Sequence, residues 1–200
     1  LVTDTQRKVY VGMPEEWFDH QNGLITKAEI RAVSLSKLRL ESHHIMWDLG
    51  AGSGSVGIEG SVFINKGRIF AVEKDPERVA QIETNLRRFG VHNVEVLCQM
   101  LPEGLETLPA PDRVFVGGGG QRLKSILQAV IRNLKPNGII VVNTVLLASM
   151  QTALDCLQDH GFKTEMIQMQ VNRSQMIAQG KRLEAQNPVW IISGQDLTKK

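Results

Sequence analysis

The sequence predicts an α/β fold: a mostly parallel, Rossmann-like sheet covered by helices on both faces and closed by a C-terminal antiparallel hairpin. Three observations lead there. Between Ile45 and His160, short apolar runs alternate with helical segments of about ten residues or more. The first run ends in glycines at alternate positions, Gly50, Gly52 and Gly54, which suits a chain turning sharply at the carboxyl edge of a sheet. After Gly161 the alternation stops, and two further apolar runs follow with no long helical period between them.

Residues 1–25 read as an irregular N-terminal arm, broken at Gly12, Pro14 and Gly23 and anchored by Trp17 and Phe18. Residues 26–200 read as one domain, because a chain of 200 residues suits a single core of this kind. Thr26-Lys27-Ala28-Glu29 has the spacing of a capping box, and Ile30, Val33, Leu35, Leu38 and Leu40 set an apolar helical face behind it. Strands are expected at 45–49, 68–73, 94–98, 112–116 and 139–145. Helices are expected from Val56, over 76–89, over 121–134 and over 149–160. Pro76 at a helix start, Gly90 past its end, and Pro136-Asn137-Gly138 before the fifth strand supply the punctuation. Residues 162–171 and 188–193 then pair antiparallel at one edge.

Composition excludes several classes. Hydrophobic residues make up 42% and charged residues 22%, as in ordinary globular proteins. The longest apolar stretch, 139–150, is interrupted by Asn143 and Thr144 and is too short to span a bilayer. No charged segment followed by an apolar one opens the chain, so the expected address is cytoplasmic. Cys98 and Cys156 stand far apart with no CxxC or Cys/His cluster; they are expected as buried thiols, and no metal site is expected. A net charge of +2 argues against general nucleic-acid binding while leaving room for a local basic patch.

Asp48-Leu49-Gly50-Ala51-Gly52-Ser53-Gly54 closes the first strand and Glu73 closes the second. A carboxylate at Glu73 can accept both hydroxyls of an adenosine ribose. Gly52-Ser53-Gly54-Ser55-Val56-Gly57 also matches G-x-G-x-x-G, so these features alone admit NAD. Asp48, the alternate glycines and the closing hairpin favour S-adenosyl-L-methionine, since five β-α units ended in this way are the layout of a class I S-adenosylmethionine-dependent methyltransferase. Met100 and Leu101, after the third strand, are apolar where such folds commonly place an acid for the adenine amino group. Adenine would then rest on apolar side chains and backbone amides.

More specific stretches are spread along the chain. They are Gly12-Met13-Pro14-Glu15-Glu16, Leu24-Ile25-Thr26-Lys27-Ala28-Glu29-Ile30-Arg31-Ala32, Trp47 to Ser55 with Ile58-Glu59, Gly117-Gly118-Gly119-Gly120, Arg173 to Gly180, and Asn187-Pro188-Val189. On these residues the chain resembles the decarboxylating precorrin-6Y methyltransferases of cobalamin biosynthesis, in particular their carbon-15 methyltransferase and decarboxylase subunit or domain. The resemblance covers most of residues 12–194. The glycine loop is generic to methyltransferases, whereas the Thr-Lys-x-Glu-x-Arg stretch combined with the glycine run and Asn-Pro-Val is far more specific. The resemblance implies methyl transfer to carbon 15 of a precorrin or cobalt-precorrin ring, with loss of carbon dioxide from the ring-C acetate. It implies donor contacts from Thr26, the loop Gly50, Ala51, Gly52, Ser53 and Gly54, the Glu73 position and the backbone near Leu101; the family often has an acid at the Met100 position. It also implies a homotetramer. The chain begins at Leu1 rather than Met, as expected of a piece of a longer protein carrying a carbon-5 methyltransferase partner.

Methyl transfer from a sulfonium relies on positioning and exclusion of water, so no Ser-His-Asp or metal constellation is needed. His20, His43, His44, His92 and His160 share no spacing and read as surface or packing residues; no catalytic residue is assigned. A precorrin carries many carboxylates, which calls for cations. The candidates are Lys27 and Arg31, with Arg173, Lys181 and Arg182 in a stretch, 172–182, that lacks any acid; each alone also reads as a solvated surface charge. Gly117, Gly118, Gly119 and Gly120 follow the fourth strand, where the acceptor lies, and would let a flat ring approach the backbone. No Asn-Pro-Pro-aromatic stands there, which speaks against methylation of nucleobase amines. Three other readings stay open: an RNA or small-molecule methyltransferase on the same fold, an NAD-dependent oxidoreductase, and a cofactor-binding scaffold without catalysis.

Overall fold

The computed structural model describes residues 8–21 and 23–197; residues 1–7 and Asn22 of the expected arm, and residues 198–200, lie outside the described residues. The strands are β1 (Ile45–Leu49), β2 (Arg68–Glu73), β3 (Val94–Cys98), β4 (Arg113–Val116), β5 (Ile139–Thr144), β6 (Lys163–Met169), β7 (Asn172–Ile177), β8 (Gly180–Ala185) and β9 (Val189–Gln195). Seven of them form one sheet in the order β3-β2-β1-β4-β5-β9-β6. The first five run parallel, and β9 pairs antiparallel with both β5 and β6. This is the class I methyltransferase layout expected from the sequence.

The chain walks outward from β1 to β3 and then returns to the other side of β1 to begin β4. Strand order therefore reverses between β1 and β4, and the crevice at the carboxyl ends of these two strands is where such sheets hold ligands. Among the described residues five α-helices cover the faces: α1 (Ala28–Leu38), α2 (Ser55–Gly60), α3 (Pro76–Phe89), α4 (Leu123–Asn133) and α5 (Leu147–Asp159). Side chains alternate across the sheet. Trp47, Leu49, Val114, Val116, Ile140 and Val142 pack with Leu127 and Leu157 of α4 and α5 on one face, while Met46, Ile69, Phe115 and Val141 pack with Ile30, Leu35 and Leu38 of α1 on the other. Met13 and Phe18 of the arm join Ile82, Leu86 and Phe89 of α3 in a third cluster.

Local chemistry sets several boundaries. Asp75 caps α3 by accepting from Glu77 N at 3.0 Å, Pro76 opens the helix, and Gly90 ends it at φ 65°. The start of α1 differs from expectation. Its cap is Lys27, one residue after Thr26, and no neighbouring side chain caps it. The first amide, Ala28 N, instead donates to Glu15 Oε1 at 2.8 Å, so a carboxylate from the arm takes the role assigned to Thr26. Cys98 is exposed rather than buried, because β3 is an edge strand; Cys156 is buried as expected. The antiparallel pairing of the last two apolar runs is present as β6 and β9, but the β7–β8 hairpin between them was not anticipated.

Candidate active site

After β1 the chain turns through Gly50, Gly52 and Gly54 at φ 72°, 59° and 74°, values that side chains with a Cβ avoid. A Cβ on Gly50 would stand 3.2 Å from Gly118 N, and one on Gly54 would stand 2.8 Å from Ile82 Cγ2. Gly50 N and Ala51 N both donate to Val72 O, at 2.9 and 3.1 Å, which fixes the turn to β2. Glu73, at the end of β2, is buried. Its Oε2 accepts from Gly52 N at 3.0 Å, and its Oε1 accepts from Lys74 N at 2.9 Å and Asp75 N at 3.1 Å. An ionised carboxylate offers about four acceptor positions, so Glu73 keeps room for about one further bond, fewer than the two ribose hydroxyls expected of it.

Asp48 lies fully buried at the foot of the turn. Its Oδ2 accepts from Gly57 N at 2.9 Å, while Oδ1 has no hydrogen-bond partner among the described residues. Burial pushes the Asp48 carboxyl up to about 7; the Gly57 hydrogen bond opposes this, and the charge of Glu73 adds to it.

A cavity of about 570 Å³ opens at the reversal of strand order. Gly50, Ala51, Gly52 and Ser53 form one side, and Gly117, Gly118, Gly119 and Gly120 follow β4 on another. Thr26 and Lys27 precede α1, Asn143 and Thr144 end β5 with Val145 and Leu146 after them, and Gln186 and Asn187 precede β9. Of the residues assigned to the methyl donor, Thr26, Gly50, Ala51, Gly52 and Ser53 line this space. Asp48, Gly54 and Glu73 do not line it; Glu73 accepts from Gly52 N in the turn and Asp48 from Gly57 N just after it. Met100 and Leu101 follow β3 and do not line the cavity; Gln99, just before them, donates through its N to Glu73 O at 2.9 Å.

The expected substrate cations separate. Lys27 lines the cavity, with Nζ 4.0 Å from Glu15 Oε2. Arg31 does not: it is 0% exposed, and its Nε donates to Glu59 Oε1 at 2.8 Å while its two terminal nitrogens donate to the carbonyls of Thr26 and Met13. Glu59 also accepts from Gly12 N and Met13 N, so this pair tethers the arm, and its donors are no longer open to a substrate. Arg173 is likewise committed. It donates to Glu15 at 2.6 and 2.9 Å and to Glu29 at 2.5 and 3.2 Å, and this bonding draws the Glu15 carboxyl down to about 2. The guanidinium ties β7 to the arm and to α1. Lys181 and Arg182 are exposed on β8 away from the cavity, and Arg182 donates to Gln175 Oε1 at 3.1 Å.

Two features escaped the sequence. Asn143, read only as a break in an apolar run, lines the cavity and donates through Nδ2 to Ser34 Oγ at 2.8 Å; Ser34 Oγ in turn donates to Ile30 O, fixing α1 beside β5. Val145, expected as the last residue of the fifth strand, lies past its end, and with Leu146 and Leu147 it leaves the sheet with 53, 58 and 64% of their surface exposed.

Comparison with known proteins adds to this geometry. A family model described as "Precorrin methyltransferase domain" matches residues 16–195. A curated relative from Pyrobaculum calidifontis, named "Probable cobalt-precorrin-6B C(15)-methyltransferase (decarboxylating)", is 40% identical over 91% of this chain and 94% of its own. A "Precorrin-6Y C(5,15)-methyltransferase [decarboxylating]" from Sinorhizobium sp. is 38% identical over 72% of this chain, which spans 34% of that protein. The crystal structure of a precorrin-6Y C5,15-methyltransferase from Geobacter metallireducens superposes with a TM-score of 0.91 at 43% identity, covering 95% of this chain and 100% of that one.

Proposed function

We infer the reaction from one premise: the chain belongs to the precorrin methyltransferase domain family. The protein is an S-adenosylmethionine-dependent C-methyltransferase of cobalamin biosynthesis. It methylates carbon 15 of a precorrin or cobalt-precorrin ring, and the ring-C acetate loses its carboxyl group as carbon dioxide. The observation that carries this reading is the glycine turn after β1 packed against the glycine run after β4, with a cavity large enough for a small-molecule site beside them.

The residues present fit the methyl donor. The turn offers a close backbone approach, Glu73 keeps one acceptor position for a ribose hydroxyl, and the orphaned Asp48 Oδ1 is a buried polar atom at the foot of the turn. When bound, S-adenosylmethionine supplies a methyl on a positive sulfonium, a leaving group that needs no acid. The chain's own task is then placement and dryness. Thr26 and the Gly50 to Ser53 turn would hold the donor on one side of the cavity, with Met100 and Leu101 beside the adenine. Gly117 to Gly120 would carry the ring, and Lys27 would meet a carboxylate at its periphery.

Homo-oligomerisation, with four copies as the expected number, is supported by the hairpin, where Met176 and Leu183 are 70 and 72% exposed. Light scattering after gel filtration reads the copy number. The longer Sinorhizobium relative supports a carbon-5 methyltransferase partner, fused or separate. A cytoplasmic address agrees with the absence, among the described residues, of any helix long and apolar enough to cross a membrane.

The test is direct. Protein incubated with methyl-labelled S-adenosylmethionine and precorrin-6B, or its cobalt form, yields a labelled ring and carbon dioxide in equal amounts. Neither product from either ring would overturn the assignment.

A further inference from the structure

Four glycines follow β4, and three have a reason internal to the protein. A Cβ on Gly117 would stand 3.0 Å from Phe115 Cε1. Gly119 sits at φ 154° with its would-be Cβ 3.2 Å from Leu123 Cα, and Gly120 sits at φ 49°. Gly118 has neither constraint. Its φ lies outside the left-handed region, and a Cβ built on it meets nothing within 4 Å. The protein alone would accept a side chain there.

Gly118 is nonetheless exposed in the wall of the cavity, and its N and Cα lie 3.2 and 3.4 Å from where a Gly50 Cβ would be. The same cavity is lined by three large apolar side chains that the fold leaves open to water: Leu24 at 56%, Val145 at 53% and Leu146 at 58% exposed. Bare peptide together with uncharged side chains makes a slot for a flat ligand with apolar faces, and Lys27 is placed for charge at such a ligand's rim.

We propose that Gly118 is a specificity-determining position whose missing side chain is space reserved for the face of the tetrapyrrole acceptor, with Leu24, Val145 and Leu146 as the apolar side of that slot. This rests on the methyltransferase reading above. The position sets how closely the ring carbon approaches the donor, and a misplacement of about 1 Å can cost about 10²-fold in rate.

The variants Gly118→Ala, Gly118→Val and Gly118→Leu test it beside the unsubstituted protein. All three are expected to melt with the unsubstituted protein and to bind S-adenosylhomocysteine with unchanged affinity by calorimetry. Their kcat/KM for precorrin-6B falls stepwise with side-chain size, reaching about 10²-fold at Val. Turnover at the unsubstituted rate in all three overturns the proposal, and so does loss of S-adenosylhomocysteine binding in step with activity, which would give the space to the donor. If the unsubstituted protein methylates nothing, the functional reading falls first and this inference with it.

Discussion

Arg173 of β7 donates to Glu15 and Glu29 at once, its Nη1 standing 2.6 Å from Glu15 Oε2 and its Nη2 2.5 Å from Glu29 Oε2. Glu15 in the same arrangement caps Ala28 N. One guanidinium thus fixes the hairpin, the arm and the first turn of α1, and the latter two flank cavity residues Thr26 and Lys27. Arg173→Met should loosen that wall, raising KM for the ring with kcat changed less, by up to about 10²-fold in kcat/KM. Arg173→Lys should not restore it, because an ammonium cannot reproduce the paired geometry. Steady-state kinetics with limited proteolysis of the arm reads both effects.

The same contact predicts an acid response. Glu15 ionises at about 2 in the fold against an ordinary 4.5, chiefly because of its hydrogen bonds from Arg173. A depressed carboxylate contributes stability that is complete above the unfolded value and is lost as pH falls through the folded one. Urea midpoints should therefore drop between pH 4.5 and about 2, and Arg173→Met should flatten that part of the curve.

Asp48 predicts the opposite slope. Its carboxyl, lifted from 3.8 to about 7 by burial, binds a proton in the fold that the unfolded chain has released, so stability declines as pH rises across that interval. Asp48→Asn should remove the decline and stabilise the protein at neutral pH by about 0.5–2 kcal/mol while weakening S-adenosylmethionine binding. Thermal unfolding at pH 5 and pH 8, paired with calorimetry, measures the two changes. Unchanged pH dependence in the variant would sink the assignment.

Arg31→Met should leave Glu59 buried without its partner and destabilise the fold by about 3–5 kcal/mol. Adding Glu59→Leu should recover much of that loss, since the charge left behind, more than the missing attraction, is the cost. A double-mutant cycle in urea checks the recovery.

Glu73→Gln should weaken S-adenosylhomocysteine binding by about 1.5–3 kcal/mol, the worth of a hydrogen bond to a charged acceptor. An amide has a single acceptor oxygen, so it cannot serve Gly52 N on one side and Lys74 N and Asp75 N on the other. Titration calorimetry at constant pH gives the value.

What the sequence disclosed was local. Alternate glycines after an apolar run, an acid at the next strand end, and proline and glycine flanking a helix all act within a few residues of themselves. Charges did not disclose their partners: Arg31 finds Glu59 28 positions away, and Arg173 finds Glu15 158 positions away. Counting cations therefore made both candidates for the substrate, whereas neither lines the cavity. The Thr26 pattern misled for a similar reason, because a carboxylate from the arm met the helix amide first. The hairpin went unseen because β8 is exposed at every residue and β7 at nearly all, leaving no alternation of burial for a period-two pattern to record.

β9 lies between β5 and β6 although it follows both in the chain. During synthesis the two outer partners emerge first and wait with unpaired edges, and only the arrival of Val189–Gln195 joins them. Until then each edge is a template for a neighbouring nascent chain. Insertion of this last strand closes both of those edges at once and leaves β3 and β6 as the outer strands of the finished sheet.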